Sequence, residues 1–154
     1  MRKIKVSYMS GHKNADKEGV IDKLKFKSIM LDRDFGKLYQ SGLFKLLALE
    51  GCPVKLFMFL CEICSDSNHV LSGTALNTDF ILWMEKATGK KDYYTTETLN
   101  KSFAALKKIN LVVMLTRGSY KLNPVHFWKG PKESDRVDSV RNMLEKGLIK
   151  PFSY

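Results

Sequence analysis

Between Tyr93 and Gly130 a polar-headed helical pattern runs straight into two short apolar segments around a tight turn, and that succession admits few architectures. Leu99, Phe103 and Leu106 recur at i, i+4 and i+7 and so share one helix face. Glu97, Thr98, Lys101, Ser102 and Lys108 are expected to point away from it. Thr95 or Thr96 offers a hydroxyl that can accept from an orphaned backbone N–H at the helix start. After Asn110 the run Leu111-Val112-Val113-Met114-Leu115 favours a strand. Arg117-Gly118-Ser119 then turns the chain into Tyr120-Lys121-Leu122, and Asn123-Pro124 ends that second strand.

Upstream, Phe35, Leu38, Tyr39, Phe44, Leu46 and Leu47 are expected to line a first core helix introduced by Asp32–Asp34, with Gly42 as a candidate break. Gly51-Cys52-Pro53 places proline at the start of a nearly all-apolar helix, Val54–Cys64, suited to a core centre or a dimer interface. Val70–Gly73 reads as a short strand that pairs with the later hairpin. Asn77 or Thr78 is expected to cap a helix that runs to Ala87, with Ile81, Met84 and Ala87 inward and Gly89 closing it in the left-handed region. Val137, Val140, Leu144 and Leu148 mark a last helix whose narrow apolar seam, beside Arg136 and Arg141, is expected to pack on its own domain. The order helix, helix, strand, helix, helix, strand, strand, helix implies a mainly α fold with a small antiparallel β-wing, a winged helix-turn-helix.

With 154 residues the chain suits one core with short extensions. Residues 1–25 read as a basic flexible arm, 26–130 as the winged-helix DNA-binding domain and 131–154 as a C-terminal helix and tail. Twenty-six Lys and Arg against 16 Asp and Glu give a net charge of +10. That excess concentrates polyanions and fits nucleic acid better than an acidic small substrate, without choosing between DNA, RNA and a membrane surface. No stretch approaches the ~18 to 20 apolar residues of a membrane span. No apolar segment follows Met1-Arg2-Lys3-Ile4-Lys5, and Cys52, Cys61 and Cys64 form no disulfide framework, so a soluble cytoplasmic protein is expected.

In such a fold the second helix of the pair enters the major groove and the hairpin touches backbone or minor groove. Thr96, Thr98, Lys101 and Ser102 are therefore expected to read the major groove, the hydroxyls bonding bases or phosphates and Lys101 neutralising a phosphate. Lys90, Lys91 and Lys108 are expected to hold phosphates, with Tyr94 reaching a phosphate or packing. Arg117, Tyr120 and Lys121 are assigned to the wing contact. Glu97 is repelled by phosphate and is read as support for the helix start. Cys61-x-x-Cys64 with His69 invites a zinc reading, but both cysteines lie inside an apolar helix and read as small buried hydrophobes. No metal-binding histidine pair, phosphate loop or nucleophile elbow occurs, so neither an enzyme nor a cofactor is expected.

Thr98–Lys108, then Gly118-Ser119-Tyr120-Lys121-Leu122-Asn123-Pro124, then Phe127-Trp128-Lys129-Gly130 resemble the RepL-type plasmid replication proteins of bacteria. Leu-Asn-Pro followed by an aromatic residue, a base and glycine is the most distinctive piece. Glu85–Gly89 is similar to the end of that family's preceding helix. The likeness covers about residues 33 to 130, and the Lys90–Tyr94 connection is longer than the family's turn. It implies a nucleoid- or plasmid-associated protein binding double-stranded DNA at an origin, in initiation or copy-number control, with host replication proteins as partners. A homodimer reading two half-sites is expected. A winged-helix transcriptional regulator and a protein-interaction module of the same fold are the alternative readings.

Overall fold

The computed structural model describes residues 36–150 and, before them, the strands β1 (Ile4–Tyr8) and β2 (Lys27–Leu31). Contacts divide the chain into two units, Met1–Phe35 and Gly36–Tyr154. In the first, β1 and β2 pair antiparallel, Ile4 opposite Leu31 and Tyr8 opposite Lys27. A strand therefore stands at Ile4–Tyr8, inside the segment expected as a flexible arm. The remainder of that arm, Asp32–Phe35 and the tail 151–154 lie outside the described residues.

The second unit is mainly helical, with two small antiparallel sheets. Its elements are β3 (Lys37–Leu38), α1 (Gln40–Leu47), α2 (Cys52–Ile63), β4 (His69–Leu71), α3 (Thr74–Thr88), α4 (Thr96–Lys108), β5 (Val112–Thr116), β6 (Ser119–Leu122), β7 (Phe127–Trp128) and α5 (Glu133–Glu145). β3 pairs with β7, and β4, β6 and β5 form a three-stranded sheet in that spatial order. The strand expected after His69 does pair with the hairpin, Val70 lying opposite Tyr120.

The core forms where three helices bring their apolar stripes together. α2 contributes Leu56, Phe57, Phe59 and Leu60; α3 contributes Leu76, Phe80 and Met84; α4 contributes Leu99, Phe103 and Leu106. Val70, Leu111, Val112 and Leu122 close it from the sheet side. Each such side chain stabilises the fold by about 1.5–3 kcal/mol, and the rings pack edge-on, Phe59 against Phe80 at 5.4 Å and Phe57 against Phe127 at 6.4 Å.

Several local expectations are corrected. α1 begins at Gln40, because Lys37–Leu38 are drawn into the β3–β7 ladder, and it runs through Gly42 without a break. Gly42 is instead a crossing point: a Cβ there would stand 2.7 Å from the His126 carbonyl oxygen. Phe44 and Leu47, expected in the core, are exposed, and Gly42 and Leu46 are the buried residues of α1. α3 starts at Thr74 behind Gly73, so neither Asn77 nor Thr78 is its cap, and Leu76 and Phe80 are buried while Ala87 is not. Gly89 does close the helix in the left-handed region, with φ 73°. In α5 the buried residue is Met143; of the expected seam Val140 and Leu148 pack against the cluster that contains it, whereas Val137 and Leu144 stand exposed.

Buried side chains tie the sheets together. Asn68, with φ 67°, donates from Nδ2 to the carbonyls of Leu122 (3.1 Å) and Phe127 (2.7 Å) and accepts from the Lys129 N–H (3.0 Å). Asn123 donates to the Asn110 carbonyl (2.8 Å) at the end of α4. His126 is fully buried, with Nδ1 2.7 Å from the Ser41 hydroxyl.

Burial, with Lys45 and Arg136 nearby, pushes the His126 pKa from 6.5 down to about 4. The unfolded chain thus takes up a proton in a range where the folded chain refuses it, so this contribution is intact above about pH 6.5 and is lost toward pH 4. Urea melts should show a loss of about 3 kcal/mol across that range, and His126→Asn should remove that part of the slope. An unchanged slope in the variant would contradict the assignment.

Candidate nucleic-acid interface

α4 is capped as the sequence predicts: the Thr95 hydroxyl accepts from the Thr98 N–H at 3.2 Å. Its far end is held by Lys45, whose ammonium donates to the Ile109 carbonyl at 2.6 Å. α2 supports the helix from behind, with Leu99, Phe103 and Leu106 in the core. Side chains advance by about 100° per residue, so Glu97, Lys101, Ala104 and Lys108 form the outward row, and all four are exposed.

The expected reading face is only partly there. Ser102 is corrected: it is 2 % exposed, and its hydroxyl donates to the Thr98 carbonyl at 2.8 Å. It lies too near the Leu99–Leu106 stripe to face outward. Thr98 is half-buried with its hydroxyl 3.0 Å from that of Thr95, and it sits on the flank opposite Thr96, which is exposed. Lys101 faces outward, but its ammonium lies 3.1 Å from the Glu97 carboxylate, so the pair carries no net charge.

Around the helix start, Lys90 and Lys91 are exposed, the Lys90 ammonium standing 5.7 Å from the Tyr93 ring centroid. Tyr94 packs: its ring stacks on Phe80 at 6.1 Å and its hydroxyl accepts from Lys55 at 3.0 Å. On the hairpin, Arg117 is exposed beside Gly118, which takes φ 80° at the turn. Tyr120 lies against Phe103 at 5.4 Å, with the Lys107 ammonium 5.7 Å above its ring.

Lys121 belongs elsewhere. Adjacent strand residues point to opposite faces, so Tyr120 meets α4 while Lys121 meets the α5 side, where Asn142 and Lys146 line the same hollow. Thr96, Lys101, Lys108, Lys90, Lys91 and Arg117 thus lie on or beside the exposed side of α4 and its hairpin, and Ser102 and Lys121 do not.

Two further polar residues lie on the flank of α4. Asn100 and Lys107 share a polar hollow of about 280 Å³ with Ser72, Asn77 and Tyr120, between α3, α4 and the sheet. Their signal was present in the periodicity, since both fall one flank away from the buried stripe. The Leu122–Pro124 and Phe127–Gly130 motifs are internal: Asn123, Phe127, Trp128 and Lys129 are buried, and a Cβ on Gly130 would stand 2.6 Å from the Asp66 carbonyl oxygen.

Among the described residues no group of His, Cys, Asp and Glu is placed to hold a metal ion, and no helix is long and apolar enough to cross a membrane. Cys52 and Cys64 are buried, and burial pushes the Cys61 thiol well up. Comparison with protein-family models, curated proteins and solved structures finds no match for this chain.

Ser102→Lys should cost at least about 3 kcal/mol in chemical denaturation, because it forces an ammonium into the α2–α4 contact. Lys101→Ser should stay within about 0.5 kcal/mol of the parent. Equal stability of the two variants would contradict this orientation of α4.

Proposed function

We propose that the chain is a winged helix-turn-helix protein that binds double-stranded DNA sequence-specifically, with α4 in the major groove and the Arg117–Ser119 turn against the backbone. The observation that carries this reading is the capped, core-backed α4, with its exposed outward row, followed directly by the β5–β6 hairpin. The order of elements and the β4–β6–β5 arrangement support the same fold.

The chemistry then divides by residue. Asn100 carries an amide of the kind that pairs with adenine, Ala104 lets the helix approach a thymine methyl, and Thr96 can bond a base or a phosphate. Lys101, Lys107, Lys108, Lys90, Lys91 and Arg117 neutralise phosphates. Glu97 opposes them and holds Lys101 in the free protein.

Initiation at a plasmid or phage origin, with host replication proteins, is the use that the RepL-type resemblance implies. A promoter-bound regulator would use the same interface. Selection of the target from a randomised duplex pool, followed by its location beside this gene or in a promoter, separates the two. The homodimer has a candidate surface in the exposed row Leu43, Phe44 and Leu47 of α1. A protein-interaction role is favoured by that same row.

For the selected duplex, log K should fall with log salt at a slope of about −4 to −5, as four to six phosphate contacts require. Lys108→Glu should weaken binding more than about tenfold, whereas Glu97→Gln should tighten it by about two- to fivefold. Undiminished binding by Lys108→Glu would overturn the reading. Sedimentation should give a dimer for the parent and a monomer for Phe44→Glu; equal masses would exclude the α1 row as the dimer surface.

A further inference from the structure

A cavity of about 650 Å³ lies away from α4, under the N-terminal half of α5. Its walls come from the Ser65–Ser67 turn, Lys121 of β6, the Trp128–Pro131 segment and the α5 residues Asp135, Asp138, Ser139 and Asn142. Two buried polar atoms there have no partner among the described residues: Trp128 Nε1, on a residue only 4 % exposed, and Ser139 Oγ. A buried donor left unmade is costly, so an N–H on the wall of a cavity this size calls for an acceptor.

Lys121 adds to the demand. Its ammonium is half-buried and, among the described residues, forms no hydrogen bond or ion pair. Lys146 lines the adjoining hollow, so this end of the cavity gathers positive charge. Burial lowers the pKa of Lys121, and Lys146 lowers it further. The other end carries Asp66, Asp135 and Asp138. Asp138 leans on Arg141 at 3.8 Å, while Asp66 and Asp135 have no ion-pair partner among the described residues.

A duplex does not suit this site, because three carboxylates would repel its phosphates and the two unmatched donors are buried. A simple anion satisfies Trp128 and Lys121 but leaves Asp66 and Asp135 unmatched; a simple cation does the reverse. A molecule that carries both charges satisfies both ends of the cavity. We propose that this cavity binds a zwitterionic small molecule of the amino-acid class, its carboxylate on Trp128 Nε1–H, Ser139 and Lys121 and its ammonium on Asp66 and Asp135. The site is independent of the DNA reading and stands or falls without it.

The chain has two tryptophans, so its ¹H–¹⁵N spectrum carries two indole signals. That of Trp83 is already bonded to the Glu62 carboxylate at 2.9 Å, and Trp128→Phe assigns the other. The full chain is titrated with each standard amino acid at millimolar concentration, with sodium acetate and putrescine as single-charge controls. At least one amino acid should move the Trp128 indole signal downfield and saturably, leave Trp83 in place, and bind more tightly than either control. Lys121→Met should weaken that titration about tenfold or more, and the surface variant Asp135→Asn should weaken it without touching the buried wall. No saturable shift, saturation by acetate or putrescine as tight as by the amino acid, or parental affinity in both variants would each overturn the proposal.

Discussion

The side-chain amide of Asn68 is the constraint on which the sheet side of the domain depends. It stands at the end of a polar turn with φ 67°, a conformation that asparagine tolerates better than most residues. From there it engages β6 through Leu122, β7 through Phe127 and the following chain through the Lys129 N–H. All of these groups are buried, so each left unmade would cost about 1–3 kcal/mol. The three-stranded sheet is thereby joined to the β3–β7 pair, and β5 and β6 are held against α4.

The two faces of that sheet have different uses. Tyr120 turns inward to Phe103 and Lys107, which makes the hairpin a buttress for α4. Val113 turns to the other side, where Met143 and Ile149 form a second, smaller core. Arg136 fastens α5 there: it donates to the Pro124 carbonyl at 2.7 Å and lies 3.7 Å over the Tyr39 ring. An arginine read as a basic neighbour of an apolar seam thus acts as a clamp, while Val137 and Leu144 remain outside.

What could be read from the residues follows how far each signal reaches along the chain. α4, its threonine cap, the hairpin and the apolar α2 rest on local periodicity and turn chemistry, which a few adjacent residues carry. Lys37–Leu38 carry a helical pattern locally, and their strand partners, Phe127 and Trp128, lie far away in sequence. Gly42 looked like a break for the same reason, since the His126 carbonyl that requires it is equally remote. On α4 a polar residue type does not by itself mean exposure. Ser102 satisfies its own hydroxyl within the helix and is small enough to be buried, whereas Asn100 and Lys107 went unnoticed on the flank. The cavity beneath α5 joins residues 65–67 to residues 121–142, a juxtaposition that no short window contains.

In the proposed function the outward row of α4 and the adjacent hairpin turn meet DNA while the α5 side does not. Amide chemical shifts of the full chain, recorded as its selected duplex is added, address it directly. The largest changes should fall on Thr96–Lys108 and Arg117–Ser119, with the Val137–Leu144 amides unmoved. Changes centred on α5, or on α1 with α4 silent, would contradict it.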